Sequence, residues 1–133
     1  MATIGVADRQ LCRVCQGAPA TDATFVRHTG MLLAWHQMTY RGRWCRDCGT
    51  ATFRKVQNWN LMLGWWGLAS FFLNIYAVLR NLASYNRVRA LAAPAGSLQS
   101  LKPGRTLLAR PGLWVFVIVL VAILIFIVTH AGH

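Results

Sequence analysis

Two Cys-x-x-Cys pairs near the start of the chain, and two long apolar stretches behind them, predict a small β zinc ribbon followed by two membrane-embedded α-helices. Composition agrees. The 133 residues are 56% hydrophobic and 13% charged, and 14 Lys and Arg stand against 3 acids for a formal net charge of +11. That apolar content excludes intrinsic disorder. Three acids leave little for carboxylate acid–base chemistry. The expected organisation is an N-terminal tail (1–11), the ribbon (12–55), a first membrane-associated helix with a basic extension (56–93), a basic linker (94–111), a transmembrane helix (112–129) and a tail (130–133). The N-terminus lacks the apolar core of a signal peptide.

The ribbon rests on its cysteines. Cys12-Arg-Val-Cys15 and Cys45-Arg-Asp-Cys48 are separated by 29 residues. Tetrahedral zinc needs four soft ligands, and each pair supplies two from one tight turn. Gly49 and Gly17 suit turn positions behind the pairs. Between them, 24–28 and 31–40 read as strands, with Gly30 and Arg41-Gly42-Arg43 as turns. Four thiolates on one Zn²⁺ carry two net negative charges, which Arg13, Arg43 and Arg46 can offset. A domain of roughly 45 residues builds too small a core alone, so the metal would supply most of its folding energy. With all four positions filled by cysteine, the expected role of Zn²⁺ is structural. Disulfides would require an oxidising compartment, a thioredoxin-like redox pair wants a βαβ context, and a Rieske-type cluster would draw on His28 and His36. The two histidines read most simply as strand residues.

The first apolar segment, 61–79, reads LMLGWWGLASFFLNIYAVL. Asn60, Gly64, Gly67, Ser70, Asn74, Ala77, Asn81 and Ser84 recur at spacings of 4, 3, 3, 4, 3, 4 and 3, so on one helix they form a single stripe. All are small or amide-bearing. In a bilayer such residues let helices approach and bond across, so the stripe is expected to dock on another membrane helix, either 113–128 of this chain or a second protein. Basic residues flank the segment on both sides. Two full spans would therefore break the positive-inside rule at one end, whereas a re-entrant or interfacial path would not.

The second segment is purer. Leu113 to Val128 is sixteen apolar residues without a break, and with Gly112 and Thr129 the stretch is about 27 Å of helix. Arg105 and Arg110 precede it and no Lys or Arg follows, which places its start in the cytoplasm. The unopposed cations Arg80, Arg87, Arg89, Lys102, Arg105 and Arg110 are expected to meet anionic lipid head groups or an acidic partner.

The cysteine pairs, the run Thr24-Phe25-Val26-Arg27-His28-Thr29-Gly30-Met31, and Gly64-Trp65-Trp66-Gly67 followed by Ser70-Phe71-Phe72 resemble a group of small actinobacterial membrane proteins. Those join an N-terminal zinc ribbon to a GWWG hydrophobic segment. The resemblance covers roughly residues 12 to 82 and implies architecture, with no activity attached. No nucleophile–base pair, phosphate loop or carboxylate cluster is present, so an enzyme is not expected. The expected function is a non-catalytic accessory subunit of a plasma-membrane assembly, a transporter or respiratory complex, with other integral membrane subunits as partners and the ribbon on the cytoplasmic face. Two alternatives are a membrane-tethered nucleic-acid-binding ribbon, with Trp35, Tyr40 and Trp44 to stack on bases, and a thiol redox or metal sensor. Nucleic acid is the weaker partner, because residues 1–55 carry eight cations and three acids.

Overall fold

The structure is a computed structural model that describes residues 11–96 and 98–132; the expected tail over 1–11 falls almost wholly outside them. An antiparallel hairpin of β1 (Thr21–Gly30) and β2 (Trp35–Trp44) is followed by α1 (Arg46–Leu63), α2 (Leu68–Arg89), a 3₁₀ turn (Leu107–Ala109) and α3 (Pro111–His130). The hairpin register runs from Thr21 opposite Trp44 to Gly30 opposite Trp35. The loop is therefore 31–34, closed by Met31 N–H donating to Ala34 O at 2.7 Å. The expected break at Arg41-Gly42-Arg43 does not exist. β2 runs through it, because Gly42 (φ 151°) leaves room for Arg13, whose guanidinium reaches Arg41 O and lies 5.4 Å from the Trp44 ring.

Residues 61–79 are not one helix. The chain turns at Gly64–Gly67, and α1 and α2 pack as an antiparallel hairpin. Near its open end a Cβ at Gly49 would lie 2.4 Å from Val88 Cγ1, and near its tip a Cβ at Gly64 would lie 2.2 Å from Asn74 Cγ, so only glycine permits either approach. α1 also runs through the expected ribbon boundary at residue 55. Its Phe53 and Val56 join Phe25, Trp44, Val88 and the four cysteines in one core, with Phe53 stacked on Tyr85 at 4.2 Å. Burial of this apolar surface is the main non-metal contribution to stability.

The small-residue stripe faces β1, not another membrane helix. A two-stranded sheet leaves the outer edge of β1 without a strand partner, and unpaired buried backbone groups are costly. Side chains fill the place of a third strand. Ser84 Oγ accepts from Thr24 N–H (3.2 Å) and donates to Thr24 O (2.7 Å). Asn81 Oδ1 accepts from Val26 N–H (2.6 Å), and its Nδ2 donates to Val26 O (2.8 Å). Asn60 Oδ1 accepts from His28 N–H (2.7 Å) while its Nδ2 also reaches Val26 O (2.9 Å). Asn74 Nδ2 ties the helices together through Asn60 O at 3.1 Å. Asn60, Gly64, Ser70, Asn74, Ala77, Asn81 and Ser84 are all buried, and Gly67 sits in the turn. The Asn60 and Asn81 amides are thus satisfied inside the chain, and Asn74 is satisfied through its Nδ2 alone, its buried Oδ1 having no partner. One spacing pattern joins two helices because both face the same strand.

Asn81→Leu removes three hydrogen bonds and strands the Val26 N–H. It is expected to destabilise the protein by about 2–3 kcal/mol, read by chemical denaturation. The same exchange at exposed Asn86, on the opposite face of α2, should change stability by less than about 0.5 kcal/mol.

Candidate metal centre

Cys12 and Cys15 lie in a tight turn, in which Gln16 N–H donates to Cys12 O (2.9 Å) and Cys12 N–H to Gly17 O (3.0 Å). Gln16, not a glycine, takes the left-handed conformation there (φ 58°). Cys45 caps α1, and Cys48 follows in the first helical turn. The second pair is therefore presented by a helix N-terminus, and Gly49 is helical. Arg13 N–H donates to Arg43 O at 2.9 Å, which fastens the first turn to the end of β2.

The hairpin between the pairs closes the gap. All four Sγ atoms lie within 4.8 Å of one another, with Cys15 Sγ and Cys45 Sγ 3.6 Å apart, and all four residues are fully buried. Tetrahedral coordination at about 2.3 Å places sulfurs about 3.8 Å apart. The donor set fits a four-coordinate soft metal ion and leaves no ligand position for substrate.

Cationic side chains do not offset the sulfur charge as expected. Arg43 pairs with Asp22 at 3.3 Å, Arg46 with Asp47 at 3.4 Å, and Arg13 lies over Trp44. Backbone N–H groups do this work: Gly17 donates to Cys15 Sγ (3.4 Å), Cys48 to Cys45 Sγ (3.4 Å) and Leu101 to Cys48 Sγ (3.3 Å). The positive end of the α1 dipole adds to them. Burial pushes the Cys45 thiol up to about 11 and the Cys48 thiol higher still. At Cys12 burial also raises the thiol, but the N–H groups of Cys15, Cys45 and Val14 outweigh it and bring it to about 7.

The Leu101 contact was not visible in the sequence, where 94–111 reads as a solvated linker. That segment closes over the centre. Ala18 and Ala95 exchange both backbone hydrogen bonds (3.1 and 2.8 Å), and Leu98 N–H donates to Cys15 O at 2.9 Å. The only sequence signal for it is the apolar Leu98 and Leu101 within a Pro- and Gly-rich stretch.

The remaining site residues separate. Arg80 and Arg87 line a cleft of about 490 Å³ with Arg41 and Asp22, while Lys102 and Arg110 line one of about 610 Å³ with Arg27 and Lys55. Arg89 lies 5.9 Å from the Tyr85 ring, and Arg105 O accepts from Arg110 Nε at 3.1 Å. Of the aromatic residues proposed for base stacking, Trp44 is buried edge-on to Phe25, which removes it from any surface. His28 is fully buried on β1, and desolvation lowers its pKa and keeps it neutral; His36 is exposed on β2.

No protein-family model, curated protein or solved structure matches the chain. The class is set by the site and the helices alone: a protein with a clustered, buried four-cysteine centre and, among the described residues, one helix long and apolar enough to cross a membrane.

Because burial keeps Cys45 and Cys48 protonated near neutrality, metal uptake must expel their protons. Apparent affinity is expected to rise with pH from 6 to 9, and calorimetry in buffers of differing ionisation enthalpy should show proton release on titration with Zn²⁺. Leu101→Pro deletes the N–H donor to Cys48 Sγ. It should speed metal transfer to a chromogenic chelator by about tenfold, in the range of lost outer-shell contacts, whereas Leu101→Ala keeps the donor and the slow rate.

Proposed function

We propose that the chain is a non-catalytic accessory subunit of a larger plasma-membrane assembly, of transporter or respiratory type, in which a structural Zn²⁺ on Cys12, Cys15, Cys45 and Cys48 holds a rigid module at the cytoplasmic surface. The carrying observation is α3: only 6% of its most apolar 18-residue window is buried within the chain, so nearly its whole circumference is free for lipid or another membrane helix. Three features support this reading. A four-thiolate centre is closed to substrate and suits a folding role. The stripe from Asn60 to Ser84 is turned inward within the chain, whereas α3 and the outer face of α2, with Phe72, Tyr76 and Leu79, are exposed and free for a partner. The hairpin of α1 and α2 returns Arg80, Arg87 and Arg89 to the side that carries Arg54 and Lys55, so the positive-inside rule is broken nowhere if this end is cytoplasmic.

A photo-crosslinking residue at Ile118, which is 66% exposed on α3, should trap a defined second membrane protein at native abundance. The same probe at Leu98, on the metal side, should not give that product. Crosslinks to lipid alone at every α3 position would contradict the proposal.

A further inference from the structure

The β1–β2 loop does not look like a loop made for water. Hairpin turns favour Gly, Asn, Asp and Pro. Here Met31, Leu32 and Leu33 are 56%, 86% and 100% exposed, with Trp35 at 56% behind them. Three consecutive exposed large apolar residues in water are a solubility defect unless they serve a purpose. No Asp, Glu, Lys or Arg occurs from His28 to Tyr40.

The position of this loop is fixed by its neighbours. A Cβ at Gly30 would lie 2.7 Å from Ser70 Cβ, and one at Gly67 would lie 2.8 Å from Met31 O, so the loop abuts the turn between α1 and α2. That turn is also apolar outside: Trp66, Leu68 and Phe72 are 54%, 83% and 65% exposed. Its inner side meets α3. Gly112 N–H donates to Asn58 Oδ1 at 2.9 Å, Trp65 stacks on Phe116 at 5.0 Å, and the groove beyond reaches Val119 and Ile123. Counting from Gly112, those α3 residues lie about 6–16 Å along the helix. That is the depth of one leaflet's hydrocarbon, about 15 Å.

We infer that the β1–β2 loop and the α1–α2 turn are inserted together into the acyl chains of the leaflet in which α3 begins, so that the module is held by three contacts with the bilayer and not by one helix. The occupant of this surface is lipid hydrocarbon. The surface is continuous with the membrane-facing helix, and charge changes sharply at its rim. Arg27 and Lys55 on one side and Arg41 and Arg80 on the other line the two clefts behind the tips, where cations can meet lipid phosphates. The inference rests on α3 crossing a bilayer and on no other part of the proposed function.

The test uses the full chain, zinc-loaded, in vesicles of phosphatidylcholine and phosphatidylglycerol carrying brominated acyl chains. A fluorescent amino acid is placed singly at residues 33, 98 and 118. Leu33 is fully exposed, so the substitution there does not disturb the core. Quenching several-fold stronger at residue 33 than at residue 98, and comparable to that at residue 118, is expected. Quenching at 118 but not at 33 would overturn the insertion while leaving α3 in the membrane. Quenching at neither would overturn both.

Discussion

Four buried sulfur atoms, gathered close enough to hold one metal ion, govern the front of this molecule. Cys12 and Cys15 come from a tight turn and Cys45 and Cys48 from a helix start, with a twenty-four-residue hairpin (21–44) between them. A metal there would close a long loop and so constrain the unfolded chain. It would also fasten the Cys12–Cys15 turn to the N-terminus of α1, and from that geometry the rest follows. α1 must run back along β1, α2 must return beside it, and the segment around Leu98 and Leu101 must cross the sulfurs to give Cys48 its third-party N–H. The arrangement tolerates buried negative charge because backbone dipoles meet it, while Arg43 and Arg46 are engaged in solvent-accessible pairs with Asp22 and Asp47 that are worth little.

The second constraint is the open edge of β1. Small sheets with an unpaired edge invite association with other chains. Here Asn60, Asn81 and Ser84 reproduce the donor and acceptor pattern of a neighbouring strand from two helices. This explains why an apolar stretch carries asparagines at all. An apolar replacement of Asn60 or Asn81 would leave the buried His28 or Val26 N–H unpaired.

The cysteine centre, the hairpin and α3 were legible in the sequence because each depends on short-range signals: ligand spacing, alternation, and an uninterrupted apolar run of sufficient length. The stripe from Asn60 to Ser84 was also legible as a buried face, but its partner was not. Periodicity reports which side of a helix is covered and says nothing of what covers it. The turn at Gly64–Gly67 was hidden for a related reason: the phase of the stripe continues across it, since α1 and α2 present their small residues to the same strand. The strand ends were misplaced because Met31-Leu32-Leu33 has strand-like composition while occupying a turn. Its composition answers to its surroundings and not to turn chemistry. The lid over Cys48 depends on one backbone N–H, and a backbone contact leaves no mark on side-chain identity.

The account turns on the four sulfurs sharing one zinc ion. X-ray absorption at the zinc edge of the purified full-length protein reads this directly. The account predicts one zinc per chain with four sulfur scatterers at about 2.3 Å and no light-atom ligand. A spectrum with nitrogen or oxygen in the first coordination sphere, or a protein whose cysteines are paired as disulfides without metal, would contradict it.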